Sequence, residues 1–284
     1  MEVEAPDCSA WRSRAILGYA LSKVAIHCDC RFRSVLNSCL GMNIHGQVAL
    51  VTGAGRRIGR AVALRLAAEG ARVIVHYRDS RSEAEGVAAE IRRNGGEAIC
   101  IQAELTRVNE IDGLFKQIEE RFRRLDILVN NAAIFSPTPL GSTQEPQWDA
   151  ILDTNLKAQF FAAQRAAPLL TQSGHGRIIN FASLGGLQAW PTYTAYSVSK
   201  AGVIMLTRCL ARALAPAVTV NAIAPGTISF PEDAPDIAER AIRSSPLQRT
   251  GSVDDITNAV IYLLNAEFVT GQILVVDGGA SIPS

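Results

Sequence analysis

The chain has 284 residues, 48 % of them apolar and 19 % charged, with a formal net charge of +1. That balance supplies a buried core and excludes a generally disordered chain. A net charge this small excludes a strong nucleic-acid or membrane-surface field, and no run reaches the roughly 18 apolar residues that a membrane span needs.

Residues 1–41 show no clear period. They open with Glu2, Glu4 and Asp7, unlike a secretory signal or an acid-poor transit peptide. Met42 begins a stretch that runs straight into the first strand. Residues 1–44 are therefore expected to be a poorly ordered extension or a consequence of start-site choice. The six cysteines, Cys8, Cys28, Cys30, Cys39, Cys100 and Cys209, form no CxxC pair. They read as the buried thiols of a reduced intracellular protein. The cluster His27-Cys28-Asp29-Cys30 packs its ligands too closely for a zinc site, and no metal is expected.

From His45 onward the pattern is regular. The first apolar run, Val48–Val51, leads into TGAGRRIG and an amphipathic stretch over Ile58–Glu69. A glycine turn feeding a helix N-terminus presents free amides and a positive dipole end to an anion. Gly53 permits the turn, Gly55 lets a phosphate approach the backbone, and Gly59 lets the helix pack on the strand. Strand, turn and helix together point to a dinucleotide.

The second run, Val73–His76, ends in YRDS. A cofactor without a 2′-phosphate wants an acid at that end. Tyr77 stands there instead, followed by Arg78. Arginine forks match phosphate oxygens, so the cofactor is read as NADP(H), with Arg57, Arg78 and Ser80 as phosphate contacts. Helical periods follow at Ser82–Asn94 and Val108–Phe122, separated by a third run, Ala98–Ile101. Glu104, just past that run, is placed toward the adenine side. The fourth run, Ile127–Val129, ends in Asn130, Asn131 and Ala132. Asn155 lies in the expected helix WDAILDTNLKAQFFAAQ, among mostly apolar and small neighbours, where it could hold a water.

The fifth run, Ile178–Phe181, ends near Ser183, a candidate hydrogen-bond donor to a substrate oxygen. Tyr196 and Lys200 follow four residues apart, so one helix face carries both. A free tyrosine is a poor base at neutral pH. An ammonium beside it favours the phenolate, and a shift of about two or three pKa units requires roughly 3–4 kcal/mol. Such a pair would transfer protons near neutrality. Two further runs, Val218–Ile223 and Ile273–Val276, flank a helical period at Val253–Leu264 and the segment 229–247, which is expected to cover the substrate. Strand alternating with helix, with apolar strands throughout, predicts an α/β fold with a doubly wound parallel sheet in a single domain over 45–284.

These pieces together resemble the short-chain dehydrogenase/reductase family over about residues 45 to 281. The matching motifs are Thr52-Gly53 with Gly59, Asn130-Asn131-Ala132, Asn155, Ser183, Tyr196-x-x-x-Lys200, VTVNAIAPGTI and VTGQILVVDGG. The resemblance implies a Rossmann-type domain, hydride transfer with a nicotinamide cofactor, and a catalytic set of Asn155, Ser183, Tyr196 and Lys200. It implies that Lys200 also holds the nicotinamide ribose, that Asn130 sits near the adenosine-side ribose, and that Thr227 and Ile228 sit near the nicotinamide amide. It implies a homodimer or homotetramer too.

Arg57, which precedes Ile58, and the segment NNAAIFSPTPL resemble pteridine reductases, in which an aromatic residue at the position of Phe135 stacks on the pterin. The substrate contacts are then Phe135, Ser183 and Tyr196. The best-known pteridine reductases carry Asp where this chain has Ser183. The segment PLQRTGSVDDI resembles reductases of varied substrate, 3-oxoacyl thioester reductases among them. The expectation is a cytoplasmic NADPH-dependent reductase of a small molecule, a pteridine first. A 3-oxoacyl thioester or other carbonyl is the alternative, and a non-catalytic NADP(H)-binding protein is a further one.

Overall fold

The computed structural model describes residues 44–283. The N-terminal extension lies outside these residues, and with it the cluster His27–Cys30 and the cysteines Cys8 and Cys39.

Seven strands form one sheet: β1 (Val48–Val51), β2 (Arg72–Tyr77), β3 (Glu97–Gln102), β4 (Ile127–Asn130), β5 (Gly176–Phe181), β6 (Val218–Pro225) and β7 (Ile273–Val276). Their order across the sheet is β3-β2-β1-β4-β5-β6-β7, and every neighbouring pair is parallel. The chain winds outward in one direction from β1 to β3, then crosses back to β4 and winds the other way. That reversal puts the crevice for a ligand at the carboxyl ends of β1 and β4.

The helices are α1 (Arg57–Ala68), α2 (Arg81–Arg93), α3 (Val108–Phe122), α4 (Glu145–Leu152), α5 (Ala158–Ser173), α6 (Thr194–Leu214), α7 (Pro235–Ser244) and α8 (Val253–Asn265). One face of the sheet packs Leu50, Ile74, Leu128 and Ile178 against Ile111, Leu114 and Ile118 of α3 and the small side chains Ala162, Ala163 and Ala166 of α5. Helices α1, α2 and α8 pack together, α1 burying Val62, Ala63 and Leu66. With helices covering it, β1 has no exposed residue, which explains its unbroken apolar run. The expected α/β, doubly wound Rossmann-type domain is the fold observed.

One expected element differs. The helix around Asn155 is not continuous: α4 ends at Leu152, a π-helical turn spans Asp153–Lys157, and α5 follows. A π turn inserts an extra residue and rotates the side chains that follow. Asn155 lies inside it and is fully buried.

Candidate active site

A cleft of about 860 Å³ opens at the carboxyl ends of β1 and β4, within the range of small-molecule sites. Of the residues singled out in the sequence, Gly53, Gly55, Arg57, Ile58, Gly59, Tyr77, Arg78, Ser80, Glu104, Phe135, Ser183, Tyr196, Lys200, Thr227 and Ile228 line it. Asn130 and Asn155 do not.

The glycine turn is built for close approach. Gly53 has φ +62°, and a Cβ on Gly59 would collide with Gly53 O and the Asn131 amide. Neither position tolerates a larger side chain without movement of the backbone. Asn131 Nδ2 donates to Thr52 O (2.8 Å) and Gly53 O (3.1 Å), while Thr52 Oγ1 accepts from Asn131 N and Ala132 N. The turn is thereby tied to the end of β4. No side chain caps the start of α1, and its first turn carries no acid. Its amides are free to meet an anion. This cradle fits the pyrophosphate of a nicotinamide dinucleotide.

The ribose end is more engaged than the sequence suggested. Arg78 pairs with Asp79 at 2.6 Å and lies 3.7 Å from Glu104. The Arg57 guanidinium reaches across the cleft to the segment after β6. It makes two bonds to Asp233 (2.8 and 3.2 Å) and one to Glu232 (3.1 Å), and lies 4.0 Å over the Phe230 ring. Arg57 thus fastens the covering segment, which itself contains α7. Tyr77 is nearly buried, and Arg56 also lines the cleft. Arg56 stood beside Arg57 in the sequence with no signal to choose between them.

Asn130 was expected near a ribose. Instead it is 1 % exposed, and its amide donates to Asn180 Oδ1, which faces it across the β4–β5 register. Residues alternate across a strand, so it is the next position, Asn131, that faces the cleft.

At the other end, β5 delivers Ser183 and α6 delivers Tyr196 and Lys200. Gly185 N–H donates to Ser183 Oγ at 3.1 Å, leaving the hydroxyl proton to be given elsewhere. Lys200 is 2 % exposed, and its Nζ donates to Phe181 O at 2.7 Å. Burial pushes Lys200 down to about 7 and lifts Tyr196 above the ordinary tyrosine range, a hydrogen bond with Ser183 drawing it partly back. The expectation that Lys200 lowers the Tyr196 pKa is therefore corrected. The Lys200 amine is spent on the Phe181 carbonyl, and burial of the phenol is the largest influence on Tyr196.

Asn155 donates to Ile134 O (3.0 Å) and Ser199 Oγ (3.1 Å) and accepts from Ile134 N (2.8 Å). It holds the strand-end segment against α6 rather than facing the cleft. Thr138 adds a second tie: its Oγ1 accepts from Ala195 N and its N–H donates to Thr192 O. Phe135 is thereby brought 4.7 Å edge-on to Tyr196 and stacked 4.2 Å from Tyr193, and Trp190 lies parallel to Tyr196 at 6.2 Å. Trp190 and Tyr193 went unassigned in the sequence, although the aromatic-rich run AWPTYTAY could have flagged them.

Among the described residues no group of three or more His, Cys, Asp or Glu could hold a metal ion, and no helix is long and apolar enough to cross a membrane.

Residues 53–281 match the family model described as enoyl-(acyl carrier protein) reductase. A 3-oxoacyl-[acyl-carrier-protein] reductase of Synechocystis sp. is 42 % identical over 237 residues, covering 82 % of this chain and 96 % of that protein. Two solved structures superpose with a TM-score of 0.79, each covering 85 % of this chain and 98 % of theirs. They are the angucycline C-6 ketoreductase LanV with bound NADP, 32 % identical, and a gluconate 5-dehydrogenase from Burkholderia cenocepacia in complex with NADP and tartrate, 31 % identical. With a glycine cradle, a parallel sheet wound about it, and Ser183, Tyr196 and Lys200 at its edge, this chain belongs to the short-chain dehydrogenase/reductase family of nicotinamide-dependent oxidoreductases.

Proposed function

We propose that the protein is an NADP(H)-dependent reductase of 3-oxoacyl thioesters. The observation that carries this reading is the meeting of Ser183, Tyr196 and Lys200 in one cleft with the uncapped glycine turn. The substrate class rests on the relatives named 3-oxoacyl reductases, and the choice of NADP(H) on Arg56 and Arg78 at the ribose end and on the NADP in the two neighbouring structures. When bound, the cofactor supplies a hydride for the 3-oxo carbon. Ser183 Oγ gives a hydrogen bond to the carbonyl oxygen. Tyr196, held protonated by burial, gives that oxygen its proton, leaving the alcohol and a phenolate to be reprotonated. By the family resemblance, Lys200 would hold the nicotinamide ribose.

A pteridine substrate is the second reading, and one observation favours it. Phe135 is 55 % exposed beside Tyr196, with Trp190 and Tyr193 around it, a surface suited to a flat ring. Against it stand Ser183 and the names of the relatives. NADPH consumption with an acetoacetyl thioester, run beside dihydrobiopterin, separates the two. Turnover of the thioester alone supports the first reading, and turnover of the pterin alone replaces it.

The exposed apolar residues Phe160 of α5 and Val198 and Met205 of α6 support a homodimer or homotetramer assembled through these helices. Sedimentation equilibrium reads the mass, and a monomer at all concentrations rejects this assembly.

A further inference from the structure

His76, the next-to-last residue of β2, is only 1 % exposed, yet it reaches the wall of the cleft. Both ring nitrogens are used: Nδ1 lies 3.1 Å from Gly53 N, and Nε2 lies 3.1 Å from Ala103 O. A carbonyl can only accept, so Nε2 carries the hydrogen and Nδ1 is the bare acceptor. The backbone of the same residue accepts from Ala54 N at 2.9 Å. One residue therefore takes two consecutive amides of the glycine turn. Asn131 holds the carbonyls of that turn from the opposite side.

We infer that His76 is a positioning residue of the cofactor cradle: its neutral imidazole braces the Gly53 amide against the end of β3, so that the turn keeps the shape that receives the pyrophosphate. The inference rests on the cofactor reading above. Without the brace, Gly53, at a φ only glycine adopts readily, has one fewer restraint on its peptide plane, and the free amides of α1 lose their fixed direction. Burial pushes His76 down to about 4, consistent with an imidazole that stays neutral near pH 7.

The test compares His76→Leu with His76→Asn, whose Oδ1 can still accept from Gly53 N–H. NADPH binding is measured by fluorescence titration without substrate, beside steady-state KM and kcat. The Leu variant is expected to weaken NADPH binding by about tenfold or more, the scale of one lost buried hydrogen bond. Its kcat at saturating NADPH should stay within about threefold, and the Asn variant should recover most of the affinity. Unchanged affinity in Leu, a loss of kcat without a rise in the cofactor KM, or an Asn variant as weak as Leu would each overturn the inference. Nitrogen NMR of wild-type imidazoles reads the brace even if the Leu variant does not fold. A single Nε2–H tautomer is expected at His76, and an Nδ1–H tautomer or a mixture refutes it. A wild-type protein that bound no nicotinamide dinucleotide would instead sink the cofactor reading, leaving the spectrum to judge the brace.

Discussion

Lys200 Nζ lies 5.7 Å from the centre of the Tyr196 ring while donating to Phe181 O. The amine therefore lies over the ring face, with a carbonyl as its hydrogen-bond partner. Tyr196 stays protonated and Lys200 sits near its titration point at neutral pH. This suits a proton donor more than a resting base.

Tyr196→Phe keeps the ring and its contacts and removes the proton. Turnover is expected to fall by roughly 10²–10⁴-fold, the usual worth of a positioned acid, with NADPH affinity little changed. Steady-state kinetics and a fluorescence titration read the two separately; full activity in the variant would reject the proton-donor role.

The pH dependence follows from the same shift. A tyrosine raised by burial is protonated throughout the neutral range, so loss of its proton should lower kcat/KM for reduction only as pH rises toward the raised pKa, whereas any change near pH 7 reports Lys200. Oxidation of the corresponding alcohol needs the phenolate and should increase as pH rises. A reduction rate that fell with rising pH well below the ordinary tyrosine range, and did so equally in Lys200→Met, would point to a different donor.

Arg78→Ala is expected to weaken NADPH by roughly ten- to a hundredfold, as loss of a charge-assisted bond to the 2′-phosphate would. NADH should be affected far less. In the free protein Arg78 is paired with Asp79 and close to Glu104, so that pairing must yield to the phosphate. Equal losses for the two cofactors, measured by titration, would remove Arg78 from the 2′-phosphate site.

Asn155→Ala strips the partners from both backbone polar groups of Ile134 and removes one donor to Ser199 Oγ, which keeps its bond to Tyr196 O. A loss of roughly 2–3 kcal/mol is expected from groups left unsatisfied in a buried setting. At the scaling for a domain of this size, that lowers the melting temperature by about 5–10 °C. Calorimetry checks it, and an unchanged melting temperature would mean that water replaces the amide without cost.

The order of strands and helices was legible because hydrophobic period is a local property: β1, α3 and β7 fall where their apolar runs predict, down to the residue. The glycine turn was legible because its chemistry is carried by adjacent residues. Direction within the site was less so. The sequence could not say which of Asn130 and Asn131 faces the cleft, because that depends on register with Asn180 across β4 and β5. It did not mark the break at Asn155 either: the residues of DTNLK suit an ordinary helix, and the π turn is accommodated by contacts with Ile134 and Ser199.

By itself, then, the sequence determined the wound sheet, the anion-binding turn and the Tyr-Lys face, each encoded by residues within a few positions of one another. Only the tertiary structure decided what the charges do. It sent Arg57 to Asp233, 176 residues away, turned Lys200 toward Phe181, and braced Gly53 with His76. A guanidinium, an ammonium or an imidazole takes whichever partner the folded chain brings within hydrogen-bond reach, and its protonation follows the burial found there.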